Sequence, residues 1–242
     1  MPCPETINTY CYFRYLPLNL SKIKNNDPNF EASQQEWDSH HIKNAIKGQE
    51  VRGRFNAFGA TYADHAKEVF IEHTCQVYAD HILKTFGSHL VIVPIPNSNA
   101  IYGNNESFKT LDFASRIVEW ARMLSVQSHI RAAPILRWRT AREKSHINYT
   151  NESHERIKES LVVDRRITKN INQPIILFDD VLTRGTQKFA AFDKLTDAGL
   201  NVLGCYSVLE VIKYPPDRVD APGWKITQRS KSEINLTGNL FT

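Results

Sequence analysis

Two adjacent carboxylates, Asp179 and Asp180, follow the apolar run Ile175-Ile176-Leu177-Phe178 and precede the turn Val181-Leu182-Thr183-Arg184-Gly185-Thr186-Gln187. An unbroken apolar run after Pro174 is the pattern of a strand buried on both faces. Phe189, Phe192, Leu195 and Ala198 then recur at helical spacing up to Gly199, a good residue for ending a helix. A glycine-containing turn at the start of a helix aims several backbone N–H groups at one point, where the helix dipole favours an anion. Thr183 and Thr186 can add hydroxyl hydrogen bonds, and Gly185 lets the backbone come close to a phosphate. Carboxylates one step before such a site cannot bind the phosphate; they suit the vicinal hydroxyls of a ribose whose C5 phosphate lies in the turn. The bland reading is a buried strand leading to a capped helix, with Asp180 satisfying backbone donors. A lone Asp-Asp is weak evidence, because acidic residues at strand ends bind Mg²⁺ in unrelated α/β folds; the whole string is far more specific.

The elements that must position this loop are legible nearby. A second apolar run, Val202 to Leu209, completes a strand, turn, helix and strand in about 35 residues, a βαβ unit that implies a parallel sheet. Upstream, residues 89–93 read as a strand ending at Pro94-Ile95-Pro96 and the polar loop Asn97, Ser98 and Asn99. Phe113, Ile117, Trp120, Ala121 and Leu124 then mark an amphipathic helix. Two such units predict an α/β fold with a doubly wound, mostly parallel sheet, in which ligands bind outside the carboxyl ends of the strands. Both polar loops fall there. Residues 1–86 read as a mainly helical elaboration or hood, with helices over 33–47 and 62–86 after a short apolar-aromatic start at 10–16. Residues 87–212 form the α/β core and 213–242 a C-terminal extension. Residues 141–156 are polar and unpatterned, as in a mobile loop.

At 242 residues, with 41% hydrophobic and 23% charged, the chain can bury a sizeable core. No apolar run is long enough for a membrane span, and the amino terminus lacks the pattern of a secretory signal, so a cytoplasmic protein is expected. Cys3, Cys11, Cys75 and Cys205 are too scattered for zinc or a disulfide framework. A net charge of +4 and a pI near 8.8 suit anionic small molecules and permit a nucleic-acid partner. His65, His73, His81 and His89 recur every eight residues, which drifts about 80° per step around a helix and gives no shared ligand face. Arg137 and Arg139 alternate with Trp138 on an expected strand, a basic cluster that suits pyrophosphate, a nucleic-acid backbone or simple solvation. Trp37, Trp120 and Trp224 read as packing residues.

The string 175–187 resembles the phosphoribosyl pyrophosphate signature of type I phosphoribosyltransferases, in particular the ComF-like (amidophosphoribosyltransferase-like) branch. Weaker similarity runs from His41 to Glu210. It includes the helix ending Lys47-Gly48, the strand Val93-Pro94-Ile95-Pro96, and Leu136-Arg137-Trp138-Arg139-Thr140. The resemblance implies that Asp179 and Asp180 bind the ribose hydroxyls and engage Mg²⁺ indirectly, through those hydroxyls or water. It also implies that Thr183, Arg184, Gly185, Thr186 and Gln187 enclose the 5-phosphate and that Pro96, Asn97 and Ser98 meet the pyrophosphate. Arg142 and Lys144, with His146, would belong to a loop that closes over the site. The implied activity is Mg²⁺-dependent transfer of a phosphoribosyl group to or from a nitrogenous acceptor, with a homodimer as a common assembly.

The chain departs from that pattern at Gln187, where a hydroxyl is usual, and at Arg184. It lacks the Arg-Gly-Phe-Asn-Gln stretch expected after the pyrophosphate loop, where Tyr102-Gly103-Asn104-Asn105-Glu106 carries less positive charge. It also lacks the cysteine-rich zinc module common ahead of ComF domains. The missing cations favour a rival, a non-catalytic sensor of phosphoribosyl ligands. A third reading, an effector in a bacterial retron defence system with a nucleic-acid-associated complex, rests on analogy.

Overall fold

The computed structural model describes residues 6–17, 29–104, 106–141, 153–183, 185–212 and 218–230. The chain opens with β1 (Thr6–Tyr15) and then α1 (Gln34–Ile46), which begins in a capping box: Ser33 accepts from the Glu36 amide while the Glu36 carboxylate accepts from the Ser33 amide. A hairpin, β2 (Arg54–Ala57) and β3 (Ala60–Ala63), leads through a 3₁₀ turn at Asp64–Ala66 into α2 (Lys67–Phe86). Next come β4 (Val91–Pro94), α3 (Lys109–Leu124), β5 (Arg131–Ala132), β6 (Leu136–Trp138), α4 (His154–Ser160), β7 (Leu161–Val163) and α5 (Arg165–Thr168). The carboxyl-terminal half ends with β8 (Ile175–Leu182), α6 (Thr186–Asp197), β9 (Val202–Val211) and β10 (Lys225–Ser230).

Six strands form the central sheet in the order β10-β1-β9-β8-β4-β5, all parallel except β10. Both expected βαβ units are present, β4-α3-β5 and β8-α6-β9. Alternation along β8 divides the core in two. Ile176 and Phe178 pack with Phe113, Ile117 and Tyr78 of α3 and α2 on one face. Ile175 and Leu177 pack with Phe189, Phe192 and Leu195 of α6 on the other. The result is a mixed α/β fold with a mostly parallel sheet covered on both faces. No helix among the described residues is long and apolar enough to cross a membrane.

Several local expectations need correction. The apolar-aromatic start is a ten-residue strand inside the sheet, with Ile7 in one core and Tyr10 and Phe13 in the other. Residues on both sides of the expected 87–212 core therefore contribute strands to one sheet. The helix expected from residue 62 starts at Lys67, the preceding residues being a hairpin. Its turn places Phe58 (φ 52°) and Gly59 (φ 74°) in the left-handed region that tight hairpins require. The Phe58 ring offsets that strain by packing on Tyr12, Phe13 and Phe70. Of the segment expected to be loop, 142–152 lies outside the described residues and His154–Ser160 is helical. Trp37 is 40% exposed and packs little, whereas Trp224 stacks on His81 at 3.8 Å.

Tyr78 ties α2 to the sheet. Fully buried, its hydroxyl donates to the Ser207 carbonyl at 2.8 Å and accepts from the Tyr12 amide at 3.1 Å. Tyr78→Phe strands a buried donor and acceptor, so it should lower unfolding free energy by about 1–3 kcal/mol in denaturant titrations; a loss near zero would mean that the contact stabilises nothing.

Candidate functional site

Asp179 and Asp180 lie within β8 rather than beyond its end, because pairing with β9 continues through Asp179 opposite Ser207 to Leu182 opposite Glu210. Strand alternation sends the two side chains to opposite faces of the sheet, and their neighbours agree. On the α1 and α3 face, Asp180 is 3% exposed and accepts from Lys47 Nζ through both oxygens, at 2.9 and 2.8 Å. On the α6 face, Asp179 accepts from the Asp180 amide at 2.9 Å. Burial, and then the neighbouring Asp180 charge, push the Asp179 carboxyl well above the usual carboxylate range, with Lys47 and Lys188 opposing. Asp180 sits in an ion pair with Lys47, and Asp179 is biased towards its neutral form.

The turn after β8 leads directly into α6. Gly185 caps α6 in the left-handed conformation (φ 82°, ψ −7°), with no side-chain cap. Phe189 donates to the Gly185 carbonyl at 2.9 Å, and the N–H groups of Thr186 and Gln187 stand ahead of that bond at the positive end of the helix. A Cβ on Gly185 would make only ordinary contacts, the closest 3.8 Å to Lys188, so the glycine is required by its backbone conformation and not by crowding. Thr183 is exposed, and Arg184 lies outside the described residues. Gln187 Nε2 donates to the Pro96 carbonyl at 3.1 Å, which ties this turn to the loop after β4. Lys188, 1% exposed, turns inward and donates to the Thr9 hydroxyl of β1.

In the β4–α3 loop, the Pro96 carbonyl also accepts from Trp138 Nε1 at 3.1 Å. Asn97 is spent on structure: its side-chain oxygen accepts from the Thr110 amide at 3.2 Å and starts α3. Ser98 sits in the turn beside it. Arg137 is buried, donating to the Glu106 carbonyl at 3.2 Å with its guanidinium 4.7 Å from the Phe108 ring centre, while Arg139 is exposed. Arg142 and Lys144 lie outside the described residues, as does His146. The structure thus brings Asp179, Asp180, the Gly185 turn and the Pro96 loop together. It adds three lysines to which the residue pattern gave no role. Lys47 and Lys188 are those above, and Lys109 at the first turn of α3 is near enough to Asp180 and Lys47 to feel both charges. A Lys beside Gly48 at the end of α1 was the one visible hint.

Among the described residues no three His, Cys, Asp or Glu side chains gather into a metal cluster. His73 and His81 instead lie 2.9 and 2.7 Å from the Tyr62 and Tyr206 hydroxyls. For Mg²⁺, Asp179 and Asp180 are the available carboxylates. With Lys47 on both Asp180 oxygens, they fit a contact mediated by water or sugar hydroxyls better than a direct cage, as suits an ion that keeps its waters. Beyond α1 a cavity of about 420 Å³ is lined by Tyr12, Asp38, Ser39, Asn56, Phe58 and Asp220, among others, and does not include the acids of β8. Its shape is set partly by the strained Phe58 turn.

No protein-family model matches the chain, and no curated protein matches it. Among solved structures, a hypoxanthine phosphoribosyltransferase from Staphylococcus aureus aligns over 64% of this chain and 70% of that one, at 18% identity and a TM-score of 0.38. An orotate phosphoribosyltransferase from Aeropyrum pernix aligns over 70% and 81%, at 18% identity and a TM-score of 0.31. At such scores neither assigns a family or an activity, and the functional reading rests on the loop geometry.

The Lys47–Asp180 pair is open to a double-mutant cycle. Lys47→Met leaves a nearly buried carboxylate unpaired and should destabilise by about 2–4 kcal/mol, discounted because Lys47 is 37% exposed on its side chain. Lys47→Met with Asp180→Asn should recover most of that loss; additive losses would show that the pair is not coupled.

Proposed function

We propose that the chain binds phosphoribosyl pyrophosphate, or a related ribose 5-phosphate ligand, and transfers the phosphoribosyl group to or from a nitrogenous acceptor, in the manner of type I phosphoribosyltransferases. The observation that carries this reading is the sequence of environments along residues 179–187. A half-buried and a buried acid are followed, a few residues on, by a left-handed glycine and the first amides of a helix N-terminus. A carboxylate accepts from vicinal hydroxyls through two oxygens, as Asp180 now accepts from Lys47. An anion of the size of phosphate fits amides at a helix start.

In the proposed reaction the acceptor nitrogen bonds to C1 of the ribose as the C1–O bond to pyrophosphate breaks. The bonding pair leaves on the pyrophosphate oxygen, and the acceptor's N–H proton ends on the departing pyrophosphate. Asp180 orients the sugar through its hydroxyls, so that C1 is presented to the acceptor without free rotation, while Asp179, on the other face of β8, accepts from the Asp180 amide. The amides of Thr186 and Gln187, with the hydroxyls of Thr183 and Thr186, hold the 5-phosphate. Mg²⁺ would be held through the sugar hydroxyls or water next to Asp180, and would there neutralise charge on the pyrophosphate. Proximity along α1 supports the cavity near Phe58 as the acceptor's place. Its aromatic and carboxylate lining suits a planar group with N–H donors, and its walls come from the 1–86 and 213–242 segments.

One observation favours the sensor as a second reading. Residues 95–101 contain no cation, and Arg137 is committed to Glu106 and Phe108. Calorimetry with phosphoribosyl pyrophosphate and Mg²⁺ should give saturable binding that falls at least tenfold in Asp179→Asn/Asp180→Asn. Equal binding would rule out the sugar contacts. Release of pyrophosphate with some member of a panel of nitrogenous bases is expected of the enzyme; binding with no release across the panel selects the sensor.

A further inference from the structure

We propose that Lys109 is the cation that holds the anionic group carried on the ribose at the Asp180 face, the pyrophosphate, in a chain that has no arginine placed there among its described residues. The inference rests on the phosphoribosyl reading of Asp180. Lys109 is the first residue of α3, directly after the loop tied to Gln187. Its amine is buried and has no hydrogen-bond partner among the described residues. A buried ammonium with no acceptor is costly, since each of its N–H groups has given up water without replacement. Asp180 does not supply the missing acceptor: its oxygens accept from Lys47, and the Lys109 amine makes no hydrogen bond to it.

The charges on this face therefore do not cancel. Lys47 and Lys109 both lie near the Asp180 carboxylate, while Asp179 lies on the other face and leans towards neutrality. Burial lowers the Lys109 amine to about 8, helped by Lys47 and resisted by Asp180, so it remains mostly charged near neutrality. An excess ammonium beside a sugar-binding carboxylate calls for an anion. The four-carbon stem of lysine lets the amine reach one that arrives next to the sugar. A lysine kept only for packing would need an acceptor of its own.

The test compares Lys109→Met and Lys109→Arg with the wild type, using calorimetry with inorganic pyrophosphate and, separately, ribose 5-phosphate. Lys109→Met should bind pyrophosphate at least tenfold more weakly and ribose 5-phosphate within twofold of wild type, and Lys109→Arg should retain most of the pyrophosphate affinity. Unchanged pyrophosphate binding in Lys109→Met, or equal loss of both ligands, overturns the assignment of Lys109 while leaving the phosphoribosyl reading intact. A wild type that binds neither ligand overturns both. Thermal melting supplies an independent check: removing an unpaired buried ammonium should leave the melting temperature of Lys109→Met at or above that of the wild type, whereas a drop of several degrees would make Lys109 a structural residue and sink the proposal.

Discussion

Two carboxylates next to each other in a buried strand cannot both be ionised without compensation, and the arrangement around β8 follows from that constraint. Strand alternation separates the side chains onto opposite faces, which lowers their mutual repulsion. Lys47, brought in by the end of α1, then neutralises Asp180 through both oxygens. Asp179 receives only a backbone amide and the more distant Lys188, and its proton affinity rises. The amino-terminal segment is thus more than a cover. Its helix supplies the counter-ion for the candidate site, and its strand β1 supplies the hydroxyl that receives Lys188.

The rest of the fold brings this pair to the turn that we propose binds an anion. Parallel pairing of β8 with β4 and β9 places the loops after β4 and β8 side by side at one edge of the sheet, where α/β folds present ligands. Gln187 and Trp138 converge on the Pro96 carbonyl and fix the spacing of those loops. A site held by secondary structure and such cross-loop bonds needs little rearrangement to receive a sugar phosphate, apart from the exchange of Lys47 for hydroxyls on Asp180.

How much of this was legible in the chain follows from the range of the interactions. The β8 strand, its turn and α6 could be read because an apolar run, a glycine and a 3.6-residue repeat are local signals. The sheet around them was legible for the same reason. Strand β1 was not: Tyr10, Tyr12 and Phe13 look like an aromatic cluster until pairing with β9 and β10 shows which faces they fill. Lys47 lies 133 residues from Asp180 in sequence, and Lys188 lies 179 from Thr9, so no spacing rule connects them. Asn97 reads as free for a ligand because the Thr110 amide that it caps lies thirteen residues on. Residue types gave the chemistry of the turn; only the packing gave the charges around it.

The central claim is that the turn after β8 accepts the phosphate of a ribose 5-phosphate group. An amide-resolved nuclear magnetic resonance titration of the ¹⁵N-labelled chain with ribose 5-phosphate reads that contact directly. Saturable shifts should concentrate on the amides of Gly185, Thr186 and Gln187, with a second group at Asp180. Shifts confined to the cavity around Asn56 and Phe58, or none at ligand concentrations in the millimolar range, would contradict it.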